Sequence, residues 1–205
     1  MISIDIEKKL KAYQGQQVLK VVRQFAAGSI TKVYGPSGVG KTTFLKVIAG
    51  FIKPEKGSIL VDGITWLNTG SKTDLAPQKR MAGFVFQDYA LFPNMTVKQH
   101  LKYATDDEQW VNRLLITGKL ETLIDHKPEH LSGGQQQRLA ILRALANKPN
   151  LLLMDEPFSA LDQEMKVELI DKLKVLFKEL GTTVLIVTHN PQELAGLTND
   201  ELLIS

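Results

Sequence analysis

Apolar and polar residues alternate from Ile2 through Ser3, Ile4 and Asp5 to Ile6, the period of two that marks a half-buried strand. Val18 to Phe25 is rich in β-branched residues and follows the turn-like Gln14-Gly15-Gln16, so it predicts a second strand. Ala27-Gly28 predicts a turn, and Ser29 to Tyr34 a third strand ending on Gly35. Ile59 to Val61 and Ile64 to Trp66, joined by Asp62-Gly63, predict a hairpin. The first 66 residues are therefore mostly strand, interrupted by one helix over about Lys41 to Ala49.

Beyond Trp66 the pattern changes. Asn68 to Lys79 is polar and predicts a loop, and Met81 to Phe86 a short strand. Thr96 to Thr122 has weak helical periodicity around an acidic patch, Asp106-Asp107-Glu108. Gln135 to Ala146 predicts a helix, with Leu139, Leu142 and Leu145 at helical spacing and Lys148-Pro149 stopping it. Leu151 to Met154 is continuously apolar, as suits a parallel strand buried on both faces. Gln163 to Leu180 predicts a long helix closed by Gly181. Val184 to Val187 predicts another buried strand, and Leu202 to Ile204 a last one. Strands alternating with helices imply a parallel α/β sheet. There are no internal repeats, and nothing resembles a linker to a second independent domain.

Composition narrows the class. The 205 residues suit one large domain or two small ones. The absence of cysteine excludes a disulfide scaffold, a thiolate metal site and a cysteine nucleophile. With 25 Lys plus Arg against 22 Asp plus Glu, the chain reads as an ordinary globule, not a disordered tail or a polybasic nucleic-acid binder. No apolar run approaches the roughly 18 to 20 residues that span a bilayer. Met1 to Leu10 carries Asp5, Glu7, Lys8 and Lys9, so no signal peptide is expected, and the expected location is cytoplasmic.

The candidate chemistry begins at Gly35-Pro36-Ser37-Gly38-Val39-Gly40-Lys41-Thr42, which fits G-x-x-x-x-G-K-[ST]. Glycines let backbone N–H groups close around phosphates, and the helix that follows presents its free N–H groups to the anion. Lys41 is placed to reach the β and γ phosphates, and the Thr42 hydroxyl to ligate Mg²⁺. Asp155 and Glu156 end the apolar run from Leu151, where ligands of open α/β sheets bind. An aspartate there can support Mg²⁺, and Glu156 can polarise an attacking water. Ser132-Gly133-Gly134-Gln135 reads as a capped helix start with more glycine than a cap needs. His189 follows the strand ending at Val187 and is within chain reach of a γ-phosphate, whereas His100, His126 and His130 lack metal-like spacing and read as surface or packing residues.

Each feature has a simpler explanation by itself: a glycine turn, a polar strand end, a helix cap, a structural histidine. Their ordered set resembles the nucleotide-binding subunit of ATP-binding cassette (ABC) transporters over nearly the whole chain. Gly35 to Thr43 resembles the Walker A loop, and Gln87 the Q-loop glutamine. Leu131 to Gln135 is identical to the LSGGQ signature. Leu151 to Glu156 resembles Walker B, Ser159-Ala160-Leu161-Asp162 the D-loop, and His189 the switch histidine. Tyr13 lies where many members stack an aromatic on adenine. Lys32, a charge in the strand before the phosphate loop, departs from the family's usual apolar pattern.

The resemblance implies an α/β P-loop NTPase fold with a mixed core sheet, an antiparallel β subdomain and a small helical subdomain. Approximately 1–87 and 147–205 would form the core with its antiparallel subdomain, and approximately 88–146 the helical part, with no C-terminal regulatory domain. It implies ATP and Mg²⁺ as ligands, with Thr42, Gln87 and Asp155 at the metal, and Glu156, His189, Lys41 and Gln87 serving hydrolysis. Ser132, Gly133, Gly134, Gln135 and Asp162 would complete the site across an ATP-bound homodimer. The implied partners are integral membrane permease subunits and, indirectly, an extracytoplasmic substrate-binding protein, with no nucleic acid. The chain would lie on the inner face of the cell membrane. Phe86 to Pro93 and Glu156 to Asp162 resemble bacterial importers of oxyanions, sugars, polyamines or iron, and Pro77 to Arg80 leans toward molybdate or sulfate systems. Tyr89, Leu91 and Phe92 would shape a groove for a permease helix or fill the helical core. A soluble ABC-type ATPase not coupled to transport, and an exporter subunit, are the alternatives.

Overall fold

The structure, a computed structural model, describes residues 1–205 apart from Tyr13, Gln14 and Ala195. In chain order the elements are β1 (Ile2–Ala12), β2 (Gly15–Phe25), β3 (Ile30–Tyr34), α1 (Lys41–Ala49), β4 (Lys56–Val61), β5 (Ile64–Asn68) and β6 (Thr73–Asp74). There follow β7 (Ala82–Val85), α2 (Val97–Lys102), α3 (Glu108–Gly118), α4 (Gly133–Leu145), β8 (Leu151–Asp155), α5 (Gln163–Leu180), β9 (Thr183–Val187) and β10 (Asp200–Leu203).

The strands form two five-stranded sheets, in the orders β2-β1-β4-β5-β6 and β10-β3-β9-β8-β7. Every pairing in the first is antiparallel. Every pairing in the second is parallel. The mixed core sheet expected from the resemblance is therefore corrected: antiparallel strands are confined to the other sheet. The β4–β5 hairpin turns at Asp62-Gly63, whose positive φ angles of 49° and 82° keep the strands' twist.

The apolar run of β8 is explained by burial on both sides. Leu151 and Leu153 face a core shared with α1, β1 and the antiparallel sheet. Leu152 and Met154 face a second core built with α3, α4 and α5. Leu185 and Val187 of β9 join the first core, and Val184 and Ile186 the second. A period of two is thus present but invisible, because both faces are apolar.

The weak helical stretch from Thr96 to Thr122 is two helices. Thr96 and Gln99 form a reciprocal capping box at the start of α2. Asp107 caps α3 by accepting from the Trp110 N–H at 3.0 Å, so the acidic patch is a helix start. His100 is buried, and its Nε2 accepts from the Phe92 N–H at 2.9 Å, so Nδ1 carries the proton toward Thr96 O at 2.8 Å. Lys32 is half-buried, pairs with Glu201 at 2.9 Å and lies 5.6 Å over the Tyr34 ring.

Candidate nucleotide site

Parallel strands deliver their C-terminal ends to one edge of the sheet, and the candidate residues gather there. β3 runs into Gly35, where a Cβ would lie 2.1 Å from the Ile204 carbonyl oxygen, so only glycine lets the last segment of the chain pass. The loop enters α1 through Gly40, which has φ 106° and offers no side-chain cap. No acidic residue occupies the first turn of α1. The helix start is left without an internal partner for its free N–H groups, the condition for holding an anion. Lys41 is 5% exposed, and its ammonium donates to the carbonyls of Gly35 at 2.8 Å and Pro36 at 2.9 Å.

Ser37, Gly38, Gly40, Lys41, Thr42 and Thr43 line a cavity of about 340 Å³ together with Gln87, Glu156 and His189. A second cavity, of about 530 Å³, shares Thr42 and Gln87 with it and adds Lys46 and Asp155. Val39 contributes its side chain to the core instead, so only its backbone is available to a phosphate. Lys46 was missed in the sequence. It lies four residues after Thr42 on α1 and so shares its face, which is the signal that would have found it.

Asp155 ends β8 at 2% exposure, and its Oδ1 is buried without a hydrogen-bond partner among the described residues. Burial raises its carboxyl above the usual aspartate range, the Thr42 hydroxyl opposes this, and the neighbouring Glu156 charge adds to the rise. A buried, orphaned carboxylate oxygen beside a hydroxyl and an amide is an all-oxygen donor set that fits Mg²⁺. Glu156 follows in a left-handed backbone conformation, φ 50°. Its N–H donates to the Val187 carbonyl at 3.0 Å, and its Oε1 lies 2.8 Å from His189 Nε2. Side chains other than glycine are held in that region only where the surroundings over-determine them.

Ser132, Gly133, Gly134 and Gln135 do not line either cavity. They form the start of α4: Ser132 Oγ accepts from the Gln135 N–H, and Gln135 Oε1 accepts from the Ser132 N–H at 2.7 Å. Asp162 likewise caps α5 by accepting from the Met165 N–H at 2.9 Å. Tyr13 lies outside the described residues. Tyr89 and Leu91 pack against the helical core, while Phe92 stays 40% exposed beside Tyr103 and His100. His126 and His130 are exposed. Two further buried polar side chains, Gln137 and Arg138, were not singled out in the sequence.

A family model described as "ABC transporter" matches residues 19–159. The chain is 41% identical to the spermidine/putrescine import ATP-binding protein PotA of Thermotoga maritima, over 98% of the chain and 56% of that protein. It is 39% identical to the molybdenum import ATP-binding protein ModC of Mannheimia succiniciproducens, over 100% of the chain and 57% of that protein. The chain thus spans about half the length of these relatives. Among solved structures, a dimeric ATP-binding cassette in a post-hydrolysis state with ADP and Pi superposes with a TM-score of 0.83. That cassette is 32% identical, with 100% of this chain and 94% of the other covered. Matching in sequence over nearly its whole length and in fold at the same coverage, the chain belongs to the ABC transporter family, as an ATP-binding domain.

Proposed function

We propose that the chain binds and hydrolyses ATP to power import through a separate integral membrane permease. The observation that carries this reading is the convergence of the Lys41 loop, Gln87, Glu156 and His189 on one cavity, with the orphaned Asp155 oxygen beside it. Two relatives are import ATP-binding proteins, one for spermidine/putrescine and one for molybdenum, and this supports the import reading. In this reading 1–87 with 147–205 forms the catalytic core, and 88–146, which contains α2, α3 and α4, faces the permease.

Hydrolysis follows from the chain's own residues. The Lys41 ammonium and the α1 N–H groups bind and orient the phosphates. Glu156 accepts the proton of a water that attacks the γ-phosphorus, and the bond from that phosphorus to the bridging oxygen breaks, leaving ADP and phosphate. His189, against the Glu156 carboxylate, orients that group and the water. Thr42, Gln87 and Asp155 would hold Mg²⁺, which neutralises phosphate charge when bound. Ser132 to Gln135 stand apart from the cavity; in this reading, as the family resemblance implies, they serve the site of a second copy, and hydrolysis requires a dimer.

The test is a pair of variants. Glu156→Gln should bind ATP normally, lose at least about 100-fold in turnover, and accumulate as a dimer in ATP on a sizing column. Adding Ser132→Arg to it should abolish that dimer without emptying the Lys41 site. Wild-type turnover in the first, or an unchanged dimer in the second, refutes the assignment.

A further inference from the structure

Helix α4 buries polar side chains that packing alone would not select. Gln137 is 1% exposed and Arg138 8% exposed, within a helix whose other buried positions are Leu139, Ala140, Ile141 and Leu142 among their neighbours. Arg138 is used inside the helical region, donating to the carbonyls of Gly118, Lys119 and Gly134. Gln137 and Arg143 instead reach across to the two turns that present Glu156 and Gln87.

Gln137 Nε2 donates to the Glu156 carbonyl at 3.1 Å and to Ser159 Oγ at 3.1 Å. Its Oε1 accepts from the Ala160 N–H at 2.9 Å. Both donors and the acceptor are in use, so the amide grips the turn at three points from Glu156 to Ala160. Arg143 donates to the Tyr89 carbonyl at 3.0 Å and the Ala90 carbonyl at 2.6 Å. Each gripped turn holds left-handed residues that carry a Cβ: Glu156 at φ 50°, Tyr89 at φ 63° and Ala90 at φ 46°. Such conformations persist where outside contacts fix them; β9 holds the Glu156 N–H, and α4 is the helix whose side chains reach both turns.

We infer that Gln137 and Arg143 are positioning residues for hydrolysis, fixing the turns from which Glu156 and Gln87 project and tying both to the helix that Ser132 begins. The inference rests on the hydrolytic reading of the site given above. It gives α4 a function that its start alone does not: the element offered to the second copy is tied to the backbone turns that carry the proton acceptor and Gln87 of its own chain.

The experiment compares the purified chain with Gln137→Met, Arg143→Met and Arg143→Lys, measuring ATP affinity, kcat, KM, Mg²⁺ requirement and Tm. Gln137→Met should lower kcat about tenfold or more while ATP affinity stays within about twofold, because phosphate binding is carried by the Lys41 loop. Arg143→Met should raise the Mg²⁺ concentration for half-maximal activity. Arg143→Lys, whose ammonium can still donate to both carbonyls, should recover part of that loss. Should Gln137→Met fail to fold, Gln137→Glu, which keeps the shape and the acceptor but loses the amide donors, is read in the same way. Unchanged kcat and Mg²⁺ requirement in folded variants overturn the inference, as do losses that follow Tm and ATP affinity alike. Wild-type protein that hydrolyses no ATP overturns the hydrolytic reading and this inference with it; wild-type turnover with unaffected variants overturns the inference alone.

Discussion

Asp155 stands at a costly position for a carboxyl, the end of a strand buried on both faces. Burial raises its carboxyl, so the folded chain favours the protonated acid relative to the unfolded chain. Its contribution to stability is therefore full below the ordinary aspartate range and is lost as pH rises through the raised value. Asp155→Asn should raise the Tm of the nucleotide-free chain at neutral pH and leave it nearly unchanged at acid pH. The same variant should weaken the extra stabilisation that Mg²⁺ adds to ATP, read by thermal shift with and without the ion. A lower neutral-pH Tm for the variant would refute the sign. This residue was legible in the sequence because the apolar run from Leu151 ends on it. Gln137 was not, since a glutamine inside a helix looks the same in sequence whether it meets water or a backbone turn. The role of Asp162 as a cap became visible only when its carboxylate was found on the Met165 N–H.

Among the elements, α4 is tightly packed at its start. A Cβ on Gly134 would lie 3.2 Å from the Ala160 carbonyl oxygen and 3.3 Å from Leu161 Cδ2. Alanine normally favours a helix over glycine, but the Ala160 N–H is tied to Gln137 of the same helix as Gly134, so the Ala160 turn cannot retreat freely. Crowding wins, and Gly134→Ala should destabilise by about 1–3 kcal/mol, measurable by urea denaturation. A variant more stable than wild type would show that the turn yields. The elements that sequence placed well are those with unambiguous ends. α1 and α5 stop at Gly50 and Gly181, both left-handed caps. The stretch from Thr96 to Thr122 was less legible because two short helices broken by a loop have no common period, and their capping residues look like ordinary polar loop. β1 extends beyond Ile6 because its register against β2 continues to Ala12, carrying Lys8 and Lys9 to Glu55.

At the scale of the whole molecule, two cores meet across one parallel sheet, and the candidate site lies where that sheet's strands end. Among the described residues no helix is long and apolar enough to cross a membrane; the proposed coupling to transport runs through a membrane-spanning partner. An affinity-tagged chain extracted from membranes in mild detergent should bring down an integral membrane protein, identified by mass spectrometry. Recovery without such a protein would favour an ATPase not coupled to transport. The parallel character of the core sheet illustrates the limit of pattern reading at this scale. Buried runs announce parallel strands, yet which sheet owns the antiparallel ones depends on long-range pairing such as Ile2 opposite Val61.

The tether on Lys41 has a consequence for what the position demands. An ammonium carries three hydrogens, and two are committed to the Gly35 and Pro36 carbonyls. One remains for an arriving phosphate. The side chain therefore acts as a tripod with two feet on its own loop, and its value lies in tetrahedral geometry as much as in charge. A planar guanidinium, with its donors confined to one plane on a larger head, does not reproduce that compact tetrahedral arrangement. The loop thus selects for lysine by shape, before any nucleotide arrives.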